Sequence, residues 1–194
     1  MKSIFAFYQS VPAIRQEIEM SLANVWKATW TKHGWNPLML NRSHAQNCTH
    51  YHRIMAKLLR SSIGGSPHLC HARIVRWCAL HGAGGGWMSD YDLINLGFTP
   101  NDSDNYESMG SLHVNDDGPA RLFFATKGMA DSVLRRFLNE ELVINGMLRP
   151  EAHILQHTSV LHSALAKTFH PTHGGTAKLT QIENALNPPE IDEE

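Results

Sequence analysis

Asp90 and Asp92, one residue apart and preceded by Gly84, Gly85 and Gly86, are the side chains of this sequence best suited to chemistry. In an extended segment, side chains two apart leave on the same side, so both carboxylates are expected to face one ligand while Tyr91 faces away. Two hard oxygen donors suit a hard cation. Mg²⁺ or Mn²⁺ fits, because such ions keep several waters and share their remaining positions with phosphates. At strand spacing the two Cα atoms lie about 6.5 to 7 Å apart, a long reach for two direct bonds of about 2.1 Å. One aspartate is therefore expected to ligate directly, and the other through water or on a ribose hydroxyl. Acidic surface turns produce the same pattern, so the surrounding elements decide its meaning.

Those elements read as an α/β arrangement. Ser3 to Gln9 is a short run rich in Ile, Phe and Tyr, the pattern of a buried first strand. Ser10 and Pro12 suit a helix start, and Ile14, Ile18, Leu22, Val25, Trp26 and Trp30 then share one helical face before Gly34. Pro37 to Leu40 supplies a second strand. A strand, helix and strand of these lengths favour a parallel pair, because a crossover of that size is normally helical. A second helix is predicted from about Thr49 to Arg60, with Ile54, Met55, Leu58 and Leu59 inward, and Gly64-Gly65-Ser66-Pro67 breaks the chain after it.

In a third helix, Leu69, Ala72, Val75, Ala79 and Leu80 follow helical spacing, which puts Arg73, Arg76 and Trp77 on or beside its polar edge. Three glycines end it, and a short strand leads into the acidic pair. Residues 99–119, rich in Asn, Asp, Ser and Gly, read as a loop with one short strand around Leu112 to Val114. Arg121 to Thr126 reads as a strand, followed by a helix that turns Val133, Leu134, Phe137 and Leu138 inward. In open α/β sheets ligands sit at the carboxyl ends of strands, where Tyr8, Gln9 and the aspartates would meet.

The order of Arg76, Leu80, Gly85, Gly86, Asp90 and Asp92 resembles the sugar-binding region of DxD-type glycosyltransferases, in which an Arg-x-x-x-Leu helix precedes Gly-Gly-x-x-x-Asp-x-Asp. Arg73 stands where those proteins carry an aspartate, and the step from leucine to glycine is one residue longer. The resemblance extends more loosely over residues 4–40. It implies a single-domain, mostly parallel mixed sheet flanked by helices, of the GT-A-like kind with a Rossmann-like nucleotide-binding half. It also implies a nucleotide-diphosphate sugar donor, Mn²⁺ or Mg²⁺ as cofactor, and a glycan or lipid-linked acceptor, as in polysaccharide biosynthesis.

By the same resemblance, Phe7, Tyr8 and Gln9 receive the base and ribose, with Phe7 open to a core role instead. A late His after a short strand, matched best by His162 in Val160-Leu161-His162-Ser163, adds a metal or phosphate ligand. His170 and His173, beside Gly174, Gly175 and Lys178, are its rivals. Glu151, or His153 beside it, stands where relatives place the acid that activates the acceptor. Arg76 either brings a second cation to the phosphates or pairs with a carboxylate at the edge of the core. Trp87 either walls the sugar pocket or packs on the glycine turn, and Asn95 either meets a sugar hydroxyl or caps.

Composition bounds these readings. A chain of 194 residues, 42% hydrophobic, can bury one core, and a single domain is expected over residues 1–187 with an acidic, disordered tail over 188–194. No apolar run approaches the roughly 18 residues that span a bilayer, and the N-terminus lacks a secretory pattern, so a cytoplasmic protein is expected. Cys48, Cys70 and Cys78 have no CxxC spacing and read as buried thiols.

With 17 basic and 18 acidic residues the net charge is −1, which offers no global field for nucleic acid. His153 and His157 are spaced for one helix face but lack the acid of a zinc protease motif. Two other classes stay open: a non-catalytic nucleotide-sugar-binding module, and a phosphohydrolase using an aspartate nucleophile. The second needs a strongly apolar strand before the acid, which Gly84 to Gly86 and Ser89 weaken.

Overall fold

The computed structural model describes residues 1–9, 16–60, 67–101, 122–139, 143–144, 147–148, 167–171 and 176–187. They form an α/β fold built on a mixed four-stranded sheet. Its strands are β1 (Ser3–Phe7), β2 (Asn36–Leu40), β3 (Gly85–Ser89) and β5 (Leu122–Thr126), in the spatial order β2-β1-β3-β5. β1 runs parallel to β2, with Ser3 opposite Asn36 and Phe7 opposite Leu40, and parallel to β3, with Ile4 opposite Trp87. β5 closes the other edge antiparallel to β3.

Helix α1 (Gln16–Lys32) makes the crossover between β1 and β2. Leu22, Trp26 and Trp30, four apart, bury its inner stripe. Gly34 ends it at φ +85°, a conformation that disfavours any Cβ. There the Gly34 N–H donates to the Thr31 carbonyl at 3.0 Å and the Trp35 N–H to the Trp30 carbonyl at 3.2 Å. Trp35 then lies edge-on to Trp30 with ring centroids 5.6 Å apart, so the cap also fixes the entry to β2.

A short helix, α2 (Arg42–Gln46), precedes the predicted second one and lies outside the sequence expectations. It is organised by its cap: Asn41 Oδ1 accepts from the Ser43 and His44 N–H groups, and His44 Nδ1 accepts from the Asn41 N–H. Five residues are too few for a hydrophobic period to show. α3 (Tyr51–Arg60) buries Tyr51, Ile54 and Leu58, whereas Leu59, expected inward, is 78% exposed because the stripe runs three and four residues apart from Tyr51.

α4 (Pro67–Gly82) departs most from its expected one-sided pattern. Every residue from Ile74 to Leu80 is buried, Trp77 and Arg76 included. The helix lies against α2, α5 (Lys127–Asn139) and strands β1 and β3, so no polar edge survives along that stretch. Trp77 stacks on Phe123 of β5 at 4.6 Å, and α5 buries Ala130, Val133, Leu134 and Phe137. Cys48 and Cys78 are buried free thiols.

Two further pairings complete the described structure. β4 (Ile94–Asn95) pairs antiparallel with β8 (Thr168–Phe169), and β6 (Val143–Ile144) with β7 (Met147–Leu148). α6 (Thr176–Leu186) reaches α1, where Ile182 joins Leu22 and Ile94 in a small apolar cluster. No helix among the described residues is long and apolar enough to cross a membrane. The expected strand at 112–114 and the tail over 188–194 lie outside the described residues.

Candidate metal centre

The acidic pair stands where β3 leaves the sheet, and it occupies a turn rather than the extended segment expected. The Leu93 N–H donates to the Asp90 carbonyl at 3.1 Å, folding the chain between β3 and β4. One oxygen of Asp90, one of Asp92 and one ring nitrogen of His170 lie within 4.8 Å of one another. The reason for placing one aspartate in an outer position, its distance in a strand, therefore falls away.

Three indoles hold this turn. Trp26 Nε1–H donates to Ser89 Oγ at 2.9 Å, Trp30 Nε1–H to the Leu93 carbonyl at 3.0 Å, and Trp35 Nε1–H to the Phe98 carbonyl at 2.8 Å. Each is a buried polar group satisfied only if the segment 89–98 keeps its place, so α1 and its cap set the position of the aspartates. Asn95 acts inside the segment: its Oδ1 accepts from the Gly97 and Phe98 N–H groups at 2.9 and 2.7 Å, and its Nδ2 donates to the Phe98 carbonyl at 2.7 Å. At 1% exposure Asn95 spends these bonds on the turn, which is the capping role that stood as the alternative to meeting a sugar hydroxyl.

His170 arrives through the β4–β8 pairing. Phe169 is opposite Ile94 in an antiparallel register, so the next residue along, His170, comes abreast of Leu93 and beside Asp92. Its Nε2 lies 3.2 Å from Asp92 Oδ1. Lys178, in the first turn of α6, donates from Nζ to Asp92 Oδ2. Across the turn, Arg76 NH1 donates to Asp90 Oδ1 at 3.1 Å, with its guanidinium 5.4 Å from the centre of the Phe123 ring. Burial alone would raise the Asp92 pKa; the hydrogen bonds from His170 and Lys178 outweigh it and hold the carboxyl down at about 2. Asp92 is therefore ionised at neutral pH, the form a metal ligand must take.

The end of β1 borders this cluster. Tyr8 donates its N–H to the Leu40 carbonyl, and its ring meets Tyr91 edge-on at 6.0 Å. The Tyr91 hydroxyl donates to Glu19 Oε2 of α1. Burial first, then the Glu19 hydrogen bond and charge, push the Tyr91 pKa well up, so the phenol stays protonated. Among the described residues Gln9 Oε1 is buried without a hydrogen-bond partner, an acceptor that a bound group could satisfy.

Other expected site residues are placed differently. Phe7 belongs to the core. Trp87 is 1% exposed among Trp35, Phe98 and Phe124, which leaves it no surface with which to wall a sugar pocket. Glu151, His153, His157, His162 and His173 lie outside the described residues. Glu19 and Trp35 had no sequence reading, Trp26 and Trp30 were read only as an inward helical face, and Lys178 only as a neighbour of the rival ligands His170 and His173. The step Thr168-Phe169 before His170 and Pro171 was the available sign that favours His170, and the indole hydrogen bonds gave none.

Chemically, the arrangement offers two carboxylate oxygens and an imidazole nitrogen to a cation, ringed by Arg76 and Lys178 as groups for an anion. That donor set fits a divalent ion that accepts both oxygen and nitrogen. Comparison of the chain with known protein families, with curated proteins and with solved structures found no match in any of the three.

Proposed function

We propose that this protein is a metal-dependent glycosyltransferase that takes a sugar from a nucleotide-diphosphate donor. The observation that carries the reading is the meeting of Asp90, Asp92 and His170 within 4.8 Å at the carboxyl end of β3, beside the end of β1. The mixed α/β sheet is compatible with a GT-A-like nucleotide-binding half, and the Arg76 to Asp92 motif resembles that class. Asp90, Asp92 and His170 would hold Mn²⁺ or Mg²⁺, whose charge there would offset the negative charge left on the departing nucleotide.

This chain's own groups supply the rest. Tyr8 presents an aromatic face for a base, and the buried Gln9 oxygen accepts from its edge or from a ribose hydroxyl. Arg76 fixes Asp90, so the carboxylate is oriented before any ligand arrives. Acceptor activation falls to Glu151, or to His153 beside it, in the resemblance.

The test is donor hydrolysis and transfer with a panel of nucleotide sugars in Mn²⁺. Asp90→Asn and Asp92→Asn are each expected to lose about 100-fold or more in rate, with cooperative unfolding retained. Full activity of either variant with the metal chelated would end the proposal. A second reading, a nucleotide-sugar-binding module without transfer, draws on one observation: both carboxylates already have partners within the chain, Arg76 on Asp90 and Lys178 and His170 on Asp92. Calorimetry showing tight donor binding, beside assays that detect no product from any acceptor, would favour that module.

A further inference from the structure

We propose that Lys178 is an intramolecular competitor for the cation: its ammonium neutralises Asp92 in the metal-free protein, and a divalent ion enters only as that ammonium leaves the carboxylate. The inference rests on reading Asp90, Asp92 and His170 as the ion's ligands. Both Asp92 oxygens are engaged, Oδ1 with His170 and Oδ2 with Lys178. The Asp92 side chain is only 11% exposed, so an incoming ion and the ammonium would share one carboxylate with little water between them. Like charges repel strongly under those conditions.

The position of Lys178 supports the same conclusion. The start of a helix carries partial positive charge, which disfavours a cationic side chain in the first turn. Lys178 occupies the first turn of the 11-residue α6. Helix stability therefore does not explain it, whereas Asp92 does. The ion pairs Arg76–Asp90 and Lys178–Asp92 also differ in mobility. Arg76 is 8% exposed, with its planar group laid over Phe123, and is held in place. Lys178 is 26% exposed on a flexible four-carbon stem, so it can swing off Asp92 without moving the α6 backbone. Of the two cations, Lys178 is the one built to yield.

Mn²⁺ titration followed by electron paramagnetic resonance, with no nucleotide present, tests this. Lys178→Met is expected to bind Mn²⁺ about tenfold or more tightly than the unmodified protein. Lys178→Arg, which keeps the charge, should stay near the unmodified affinity. Adding Asp92→Asn to Lys178→Met should remove the binding. Unchanged or weaker Mn²⁺ affinity in Lys178→Met, with binding still dependent on Asp92, overturns the competition and leaves the ion site standing. No saturable Mn²⁺ binding in either protein overturns both.

A second measurement needs no charge-removing variant. In protein labelled with ¹⁵N at lysine, the Lys178 ammonium signal, assigned through Lys178→Arg, should shift as Mg²⁺ saturates the site. A signal that stays in place at saturation also overturns the proposal.

Discussion

Asp90 and Asp92 are the same residue type in different surroundings, and the difference has measurable consequences. The Asp90 side chain is 31% exposed and pairs with Arg76 of α4, whereas Asp92 is 11% exposed between His170 and Lys178. Removing one member of a buried pair leaves the other desolvated and unpaired, a cost that shrinks as water reaches it. In the metal-free protein, Asp92→Asn is expected to lose about 2 kcal/mol and Asp90→Asn about 1 kcal/mol. Urea unfolding at neutral pH checks this, and an equal or reversed ranking would show that burial does not set the cost. The acidic pair was legible from residue type and spacing, and pairing with a carboxylate was one of two readings offered for Arg76. The burial of Trp77 was not legible, because periodicity reports a face only when a neighbour covers one side, and this residue is covered on several; for Trp87, packing was one of two readings offered.

At the scale of elements, the long pieces were readable and the short ones were not. β1, β2 and α5, and α1 from Gln16 onward, fall close to their sequence expectations, the helices because they carry several periods of apolar residues and β1 because it is a continuous apolar run; the expected helix start at Ser10 and Pro12 lies outside the described residues. β4 and β8 are two residues each and have no period to detect, yet their register brings His170 to Asp92. The glycine approach to β3 was seen as a turn, but its packing role needed coordinates. Gly85 has φ +90°, and a Cβ there would lie 2.5 Å from the Lys127 nitrogen and 2.7 Å from the Thr126 carbonyl carbon, all backbone that cannot step aside. Gly84, at φ +95°, has nothing within 4 Å of such a Cβ. Gly84→Ala is therefore expected to cost about 1 kcal/mol, from backbone strain alone, and Gly85→Ala about 2 to 4 kcal/mol. Equal losses in denaturant melts would mean that the contact with the start of α5 is not what holds β3 in place.

For the whole molecule, part of the stability lost in acid belongs to Asp92 and part to a second cluster, away from the aspartate turn, where α3, α4 and α5 converge. His50 Nε2 meets Asp131 Oδ1 at 2.7 Å, His81 Nε2 lies 3.8 Å from the same oxygen, and Arg135 Nε donates to Asp131 Oδ2 at 2.5 Å. Burial first, then the charge of Lys127, lowers the His81 pKa below its ordinary 6.5, against an opposing pull from Asp131. The Arg135 hydrogen bond first, then that of His50, lowers the Asp131 pKa below 3.8. A group whose folded pKa is depressed binds its proton more readily when unfolded. Its contribution is present above the unfolded value and is lost as the pH falls through the folded one. Both groups therefore act in the same direction, His81 below about 6.5 and Asp131 below about 3.8. The urea midpoint should fall as the pH drops from 7.5 to 5, and His81→Gln, which cannot titrate, should make that limb shallower, the rest falling to His33, whose pKa is also lowered by burial and then by Lys32, while leaving the drop below pH 4. A His81→Gln curve that runs parallel to the unmodified protein between pH 7.5 and 5 would assign that limb to other groups.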